Sequence, residues 1–189
     1  MGFTDQIAIH PPASDLRRGD FLWRLSSARI EKASPFSTFP EHDRVLIILE
    51  GSGVRIVHQF SPGEVEITDV LPLEPYEFPG DVPTDCVLLG EPVVDLSLFI
   101  RKGLIESAVE VRDIHSDEAV SWFPSGSWNF AFAAQGSYAV SVASGAQSFE
   151  IRQSDSLRVD LTTPRGSDEI RLRQIDQVPG KLILISLAG

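Results

Sequence analysis

Cysteine is almost missing from this sequence, since Cys86 is the only one in 189 residues. A single cysteine cannot form an intrachain disulfide, which excludes the small disulfide-stapled secreted folds and favours a reducing, cytoplasmic setting. Cys86 begins the apolar run Cys-Val-Leu-Leu, and no histidine lies close to it in the sequence. We therefore expect a buried, inert thiol rather than a catalytic nucleophile.

Long apolar runs and basic segments are missing too. No run approaches the roughly 20 residues that cross a bilayer, and the N-terminal segment MGFTDQIAIHPPASD lacks the basic and apolar regions of a signal peptide. The formal net charge is −11, with 16 Lys and Arg against 27 Asp and Glu. Because nucleic acids and anionic membrane surfaces would be repelled at long range, we expect neither as a partner.

Helical periodicity is absent, because no stretch of more than about two turns repeats its apolar residues every 3.6 positions. Short apolar runs instead alternate with turns rich in Gly and Pro, at about the 8–12-residue spacing typical of β-sandwiches and barrels. We predict an all-β chain of about fourteen strands. Residues 1–19 would form a loose arm or a first edge strand, and the prolines between residues 71 and 84 permit only short edge pairing.

The predicted strands fall into two similar halves. Phe39-Pro40 matches Phe123-Pro124 at an offset of 84 residues, and Glu50-Gly51-Ser52 matches Gln135-Gly136-Ser137 at an offset of 85. An internal repeat of about 85 residues favours two jelly-roll-like barrels in one chain. The predicted barrels are residues 1–103 and residues 104–189.

Each half also contains a strand, a Gly-containing turn and a second strand, which we interpret as a β-hairpin. In the first half the hairpin would join Val45–Leu49 to Val54–Val57. In the second half it would join Phe130–Ala134 to Ala139–Val142.

An ordered series of short motifs runs from Trp23 to Gly103. The motifs are Trp23-Arg24-Leu25-Ser26, Pro35-Phe36-Ser37, Asp43-Arg44-Val45, Leu49-Glu50-Gly51, Phe78-Pro79-Gly80-Asp81, Asp85-Cys86-Val87-Leu88-Leu89-Gly90 and Asp95-Leu96-Ser97-Leu98 with Arg101. In this order they resemble the HutD/Ves family of bicupins. The resemblance implies two cupin barrels, a cytoplasmic bacterial protein, and an association with histidine utilisation through binding of a small metabolite. Two segments depart from the family pattern: HPPASDLRRGD replaces an Asn-Gly-rich stretch, and Asp95-Leu96-Ser97 replaces Asp-Phe-Asn or Asp-Leu-Asn.

Many cupins bind a metal through two histidines separated by one residue, a nearby glutamate and a third histidine on a later strand. The histidines of this chain are His10, His42, His58 and His115, and no two of them have that separation. His58 lies where such a pair could lie, but it lacks its partner. We therefore predict no metal and no other cofactor.

Charged and aromatic residues of the first half are the candidates for ligand binding. At an offset of 85, Arg44 becomes Asn129 and Glu50 becomes Gln135, so that the first half alone keeps the ionic groups. A guanidinium can grip a carboxylate bidentately, and an acidic protein needs a local cation to hold an anion. The predicted ligand-binding residues are Arg44, Arg24, Trp23, Phe36, Ser37, Glu50 and Phe78.

Each main candidate has a structural alternative. Arg44 could pair with a nearby carboxylate as a structural tie, Arg24 could face solvent from its strand, and Asp95 could pair with Arg101 at the strand ends. Sequence alone leaves these alternatives open.

The expected function is non-enzymatic binding of a small carboxylate metabolite in a regulatory role, which the resemblance associates with histidine utilisation. One alternative is a metal-independent isomerase or lyase, with Glu50 or Asp85 as base and Arg44 stabilising an enolate-like anion. Another is a purely structural interaction protein, with an empty or filled first barrel and an exposed apolar patch elsewhere. Cupins often pair through sheet edges, so a homodimer is a further expectation.

Overall fold

The computed structural model describes residues 3–115, 119–142, 148–161 and 169–189. In these ranges the chain forms seventeen strands and no helix, which confirms the all-β prediction. The described part of the chain therefore contains no helix long and apolar enough to cross a membrane.

Contacts divide the chain into two compact units, Met1–Ile105 and Glu106–Gly189. The strands of the first unit are β1 (Phe3–His10), β2 (Trp23–Ile30), β3 (Ser34–Pro35), β4 (His42–Glu50), β5 (Val54–Ser61), β6 (Glu64–Val70), β7 (Tyr76–Pro79), β8 (Thr84–Leu88) and β9 (Val93–Arg101). Those of the second unit are β10 (Glu106–Ile114), β11 (Ala119–Trp122), β12 (Trp128–Gln135), β13 (Tyr138–Val142), β14 (Ser148–Ile151), β15 (Ser156–Asp160), β16 (Ile170–Gln174) and β17 (Gly180–Ala188).

Both units contain two antiparallel sheets built on one plan. The first unit has the strand orders β1-β2-β9-β4-β7 and β3-β8-β5-β6, and the second has β10-β17-β12-β15 and β11-β16-β13-β14. Strands β2 to β9 therefore correspond one for one to β10 to β17, and β1 is an extra edge strand. Eight antiparallel strands in two sheets form a jelly roll. The internal repeat seen in the sequence is thus also a repeat of topology.

The predicted hairpins are wrong. Strand β4 pairs with β7 and β9, whereas β5 pairs with β6 and β8 in the other sheet of the unit. Between them Gly51 and Gly53 adopt φ angles of 97° and 102°, which glycine tolerates best, and the chain crosses from one sheet to the other. The same applies to β12 and β13, which lie in different sheets. A strand–turn–strand pattern does not distinguish neighbouring strands from strands in facing sheets.

The apolar core of the first unit covers only part of the inward face of β4. Leu46 and Ile48 of β4 pack in one buried cluster with Val54 and Ile56 of β5. Along β4 the next residue on that inward face is Arg44, because side chains alternate along a strand. The inward face therefore changes from aliphatic to polar toward the start of β4.

Candidate ligand-binding site

The first unit contains a cavity of about 730 Å³ beside β2, β4 and β9, a size typical of small-molecule sites. The segment between β2 and β4 completes its wall. Six charged side chains line the cavity, four cationic and two anionic: Arg24, Arg29, Lys32, Arg44, Glu31 and Asp95. The cavity thus has an excess of positive charge in a chain whose formal net charge is −11.

Arg44 is buried in a hydrogen-bonded triad with two residues of β9. Its Nη2 lies 3.2 Å from Asp95 Oδ2 and 2.7 Å from Ser97 Oγ, and its Nε donates to the same hydroxyl at 3.2 Å. Ser97 donates in turn to Asp95 Oδ2 at 3.1 Å, and Asp95 Oδ1 accepts the Ala28 amide at 2.8 Å. Both carboxylate oxygens are therefore used within the protein. Arg44 Nη1 has no acceptor among the described residues.

Aromatic rings surround the Arg44 guanidinium. Its central carbon lies 3.9 Å from the centroid of the Phe36 ring, 5.1 Å from that of Phe99 and 5.6 Å from that of Phe78. Burial lowers the pKa of Arg44 and raises the pKa of Asp95, whereas the attraction between the two charges acts in the opposite direction. The rings hold the guanidinium in a fixed plane through cation–π contacts.

Arg24 also points into the cavity, so the alternative of a solvent-facing side chain is wrong. It is 6% exposed, and its Nε donates to Gln6 Oε1 at 3.3 Å. No carboxylate within the described ranges forms an ion pair with it, and its Nη1 and Nη2 have no acceptor there. Burial lowers its pKa, which Asp95 partly opposes. Its guanidinium lies 5.8 Å from the Phe99 centroid, so the two buried arginines flank one ring.

The other predicted site residues separate into two groups. Phe36 and Ser37 line the cavity, and Phe78 lies beneath it against Arg44. Trp23 does not line the cavity, because it points to the face of β2 opposite Arg24 and is fully buried there. Glu50 is exposed at the end of β4, beyond a register shift, and is also outside the cavity.

Of the alternatives that the sequence left open, the pairing of Asp95 with Arg101 is wrong and the structural tie of Arg44 to a carboxylate is present, because Asp95 pairs with Arg44. Arg101 instead forms an ion pair with Glu41. Ser97 was not among the predicted site residues. The available signal was the pair of polar residues two positions apart in the otherwise apolar strand β9, since such residues share one face.

In the second unit, none of the three positions that correspond to this triad carries a charge. The pairing of β4 with β9 matches that of β12 with β17, so Leu184 corresponds to Ser97 and Leu182 to Asp95. Both leucines belong to the apolar cluster of the unit. Asn129, the counterpart of Arg44, is fully buried and bonds to backbone: it accepts from the Ser125 and Gly126 amides and donates to the carbonyls of Gly126 and Val159.

The donor set of the cavity does not fit a divalent cation. It contains the two guanidiniums, and the Asp95 carboxylate is already hydrogen-bonded at both oxygens. Within the described ranges, no group of three or more His, Cys, Asp or Glu side chains could hold a metal ion. Cys86 is buried near Arg44, and burial raises the pKa of its thiol to about 11, which keeps it protonated. Asp85 points away from the cavity and accepts a hydrogen bond from Gln59.

Comparison with known proteins relates the whole chain to proteins named for the hut genes. The HutD family model matches residues 1–175. A 21.2 kDa protein of the hutC 3′ region in Pseudomonas putida is 29% identical over 188 residues, an alignment that covers 98% of this chain and 87% of the relative.

Solved structures support the same fold. HutD from Pseudomonas fluorescens SBW25, solved in a formate condition, is similar with a TM-score of 0.72 at 23% identity, over 100% of this chain and 90% of that one. Oxalate decarboxylase from Bacillus subtilis is similar with a TM-score of 0.69 at 10% identity, over 98% of this chain and 72% of that one. Oxalate decarboxylase has the cupin fold, so the prediction of a bicupin is confirmed.

Proposed function

Because this chain belongs to the HutD family, we propose that the cavity of its first barrel binds a small carboxylate-bearing metabolite and that its role is regulatory. The name of the hutC-region relative supports a link to histidine utilisation. The buried, unpaired Cys86 agrees with action in the cytoplasm.

The observation that carries the proposal is that Arg24, a cation only 6% exposed, has no ion-pair partner among the described residues. Arg44 has Asp95 as its counter-ion, whereas Asp95 compensates the charge of Arg24 only in part and without an ion pair. A buried charge without a partner is unfavourable, and an anion in the cavity would relieve that cost. A carboxylate between the two arginines would accept from the Arg24 Nη groups and from Arg44 Nη1, which have no acceptor among the described residues.

Phe99 and Phe36 support a carboxylate at this position over a more diffuse anion. The two guanidiniums lie against the Phe99 ring, and Phe36 stacks on Arg44. A planar guanidinium that lies against an aromatic ring matches the planar, bidentate geometry of a carboxylate. The remaining wall of the cavity combines apolar side chains such as Leu16, Ile30 and Phe39 with hydroxyl and charged groups, and it suits a small organic acid with further polar substituents.

A thermal-shift series tests the proposal. Formate, acetate, urocanate and formylglutamate would each be added to the wild type and to Arg24→Gln. A ligand that binds the folded state raises its stability, by roughly 2.7 kcal/mol at a hundredfold excess over Kd. We expect a shift in the wild type that is lost in Arg24→Gln. Arg29→Gln is the matched control, because Arg29 also lines the cavity but is half exposed and pairs with Glu31 at 3.5 Å.

The absence of any shift with all four acids, in a wild-type protein that unfolds cooperatively, would refute the proposal. A shift that survives in Arg24→Gln would refute the assigned site. The enzyme alternative requires another base, because Glu50 and Asp85 lie outside the cavity. Turnover of a bound acid, lost in Asp95→Asn, would favour that alternative.

A further inference from the structure

The extra strand β1 and the buried Arg24 occur together in the first unit. Strand β1 pairs with β2 at the edge of its sheet, and no described strand of the second unit occupies the corresponding position beside β10. The pairing of β2 with β9 matches that of β10 with β17, so Ala108 corresponds to Arg24. The second unit therefore has neither the extra strand nor the arginine that this strand contacts.

Strand β1 contains a β-bulge where it passes Arg24. Gln6 lies opposite Ser26 of β2, and after a register shift of one residue Ile9 lies opposite Arg24. In a regular strand, residues three positions apart lie on opposite faces. The extra residue of the bulge instead places Gln6 and Ile9 on one face, the face that carries Arg24.

These two residues and a ring of β9 fix the Arg24 side chain. Arg24 Nε donates to Gln6 Oε1 at 3.3 Å. Ile9 packs in a buried cluster with Phe99, whose centroid lies 5.8 Å from the guanidinium. A guanidinium can only donate, so the oxygen of the Gln6 amide, and not its nitrogen, must face Nε. The acceptor at Nε leaves both Nη groups of Arg24 without an acceptor in the described part of the chain.

The acceptor at Nε is neutral, which matters for an anion site. A glutamate at position 6 has the same length and would form an ion pair with Arg24, with a charge-assisted hydrogen bond in place of a neutral one. It would thereby supply the negative charge that a ligand carboxylate is proposed to supply. Gln6 orients the guanidinium without neutralising it. Because Gln6 is itself exposed, the apolar core does not depend on its side chain.

We propose that Gln6 is a positioning residue of the cavity, which holds Arg24 by Nε from the bulged strand β1 and directs both Nη groups toward the ligand. Its neutral amide keeps the charge of Arg24 available to an anion. The consequence for ligand affinity rests on the proposed function, whereas the orientation of Arg24 can be measured without any ligand.

NMR of the arginine Nε–H groups tests the orientation directly. We expect a slowly exchanging Nε–H signal for Arg24 in the ligand-free wild type, assigned by its loss in Arg24→Gln. In Gln6→Met, which keeps the length of the side chain and lacks the acceptor, this signal should shift and exchange faster with water. Thr4→Val is the matched control, because Thr4 lies on the same face of β1 and lines the cavity. An Nε–H signal that does not respond to Gln6→Met, or that responds equally to Thr4→Val, would overturn the proposal.

Formate affinity gives the functional measurement. Loss of the hydrogen bond in Gln6→Met should raise the formate Kd about three- to tenfold. The Kd of Thr4→Val should stay close to that of the wild type. If formate does not bind the wild type, the proposed function fails, and the Nε–H signal still decides whether Gln6 positions Arg24.

Gln6→Glu separates positioning from a merely structural role, because it should change affinity and stability in opposite directions. The new carboxylate competes with formate for Arg24, so the formate Kd should rise further than in Gln6→Met. The same carboxylate pairs with a buried cation, so the unfolding temperature without ligand should be unchanged or higher. Weaker binding together with a lower unfolding temperature would indicate a structural role, and an unchanged formate Kd would contradict the positioning role.

Discussion

Substitution of Arg24 and substitution of Arg44 should have different effects on stability, because only Arg44 forms an ion pair with a buried carboxylate. Arg44→Gln leaves the buried Asp95 carboxylate without its counter-ion, so we expect a loss of about 3–5 kcal/mol in the free energy of unfolding. Arg24→Gln leaves no carboxylate unpaired and removes a buried charge that has no ion-pair partner among the described residues. Urea unfolding of that variant without ligand should show unchanged or higher stability.

The double variant Arg44→Gln/Asp95→Asn is the control for this comparison. It removes both charges together, and we expect it to recover most of the stability lost in Arg44→Gln. Equal destabilisation by Arg24→Gln and Arg44→Gln would contradict the assignment of Asp95 to Arg44 alone.

Glu41 carries backbone strain at a position that favours glycine. Its φ of 62° costs a non-glycine residue about 1–2 kcal/mol. We expect Glu41→Gly to be about 1 kcal/mol more stable than Glu41→Ala in urea unfolding, since both variants lose the ion pair with Arg101 and glycine alone relieves the strain. Equal stabilities would show that the turn carries no such strain.

His58 should make the protein less stable in acid. Burial lowers its pKa in the folded state below the ordinary value of 6.5, against the opposing effect of Glu66. The unfolded chain therefore binds a proton more readily, and the stability contributed by the neutral ring is present above that ordinary value and is lost as the pH falls below it. Between about pH 7 and about pH 5, the urea midpoint should fall more in the wild type than in His58→Gln. The same fall in both would exclude a contribution from His58.

At the scale of a single element, the turn before β12 depends on Asn129. Its amide oxygen accepts two backbone amides, at 3.1 and 3.0 Å, and its nitrogen donates to two carbonyls, at 2.7 and 3.2 Å. Asn129→Ala would leave these buried groups without partners, and we expect a loss of about 2–4 kcal/mol. Ser141→Ala on the exposed face of β13 is the control and should change the stability by less than about 0.5 kcal/mol. A small loss in Asn129→Ala would mean that water replaces the side chain.

The sequence predicted the strands better than their partners. Val45–Leu49 was predicted as a strand and lies within β4, His42–Glu50, because a run of apolar residues before a turn marks a strand clearly. The hairpins could not be predicted, because the same pattern serves strands in facing sheets. The orientation of Arg24 was left open for a related reason: β2 is buried on both faces at Trp23, Arg24, Leu25 and Ser26, so alternation does not indicate which face meets solvent.

At the scale of the whole molecule, stability and ligand binding should be separable. Leu184 lies in the apolar cluster of the second unit, at the position that corresponds to Ser97 of the first. We expect Leu184→Ala to cost about 2–5 kcal/mol of stability and to leave the formate Kd unchanged at a temperature where the protein remains folded. Calorimetric titration of the folded variant measures both the Kd and the fraction that binds. A higher formate Kd in Leu184→Ala would show that the second unit contributes to the site.

The correspondence of β2–β9 with β10–β17 has a consequence for stoichiometry. Two copies of one eight-stranded unit offer two equivalent places for an arginine–aspartate–serine triad, but the second has Asn129, Leu182 and Leu184 at those places. Under the proposed function, the chain therefore has one binding site although its repeated fold has two equivalent positions for one. Each chain should take up a single equivalent of ligand, and its saturation curve should be hyperbolic, without cooperativity between its halves.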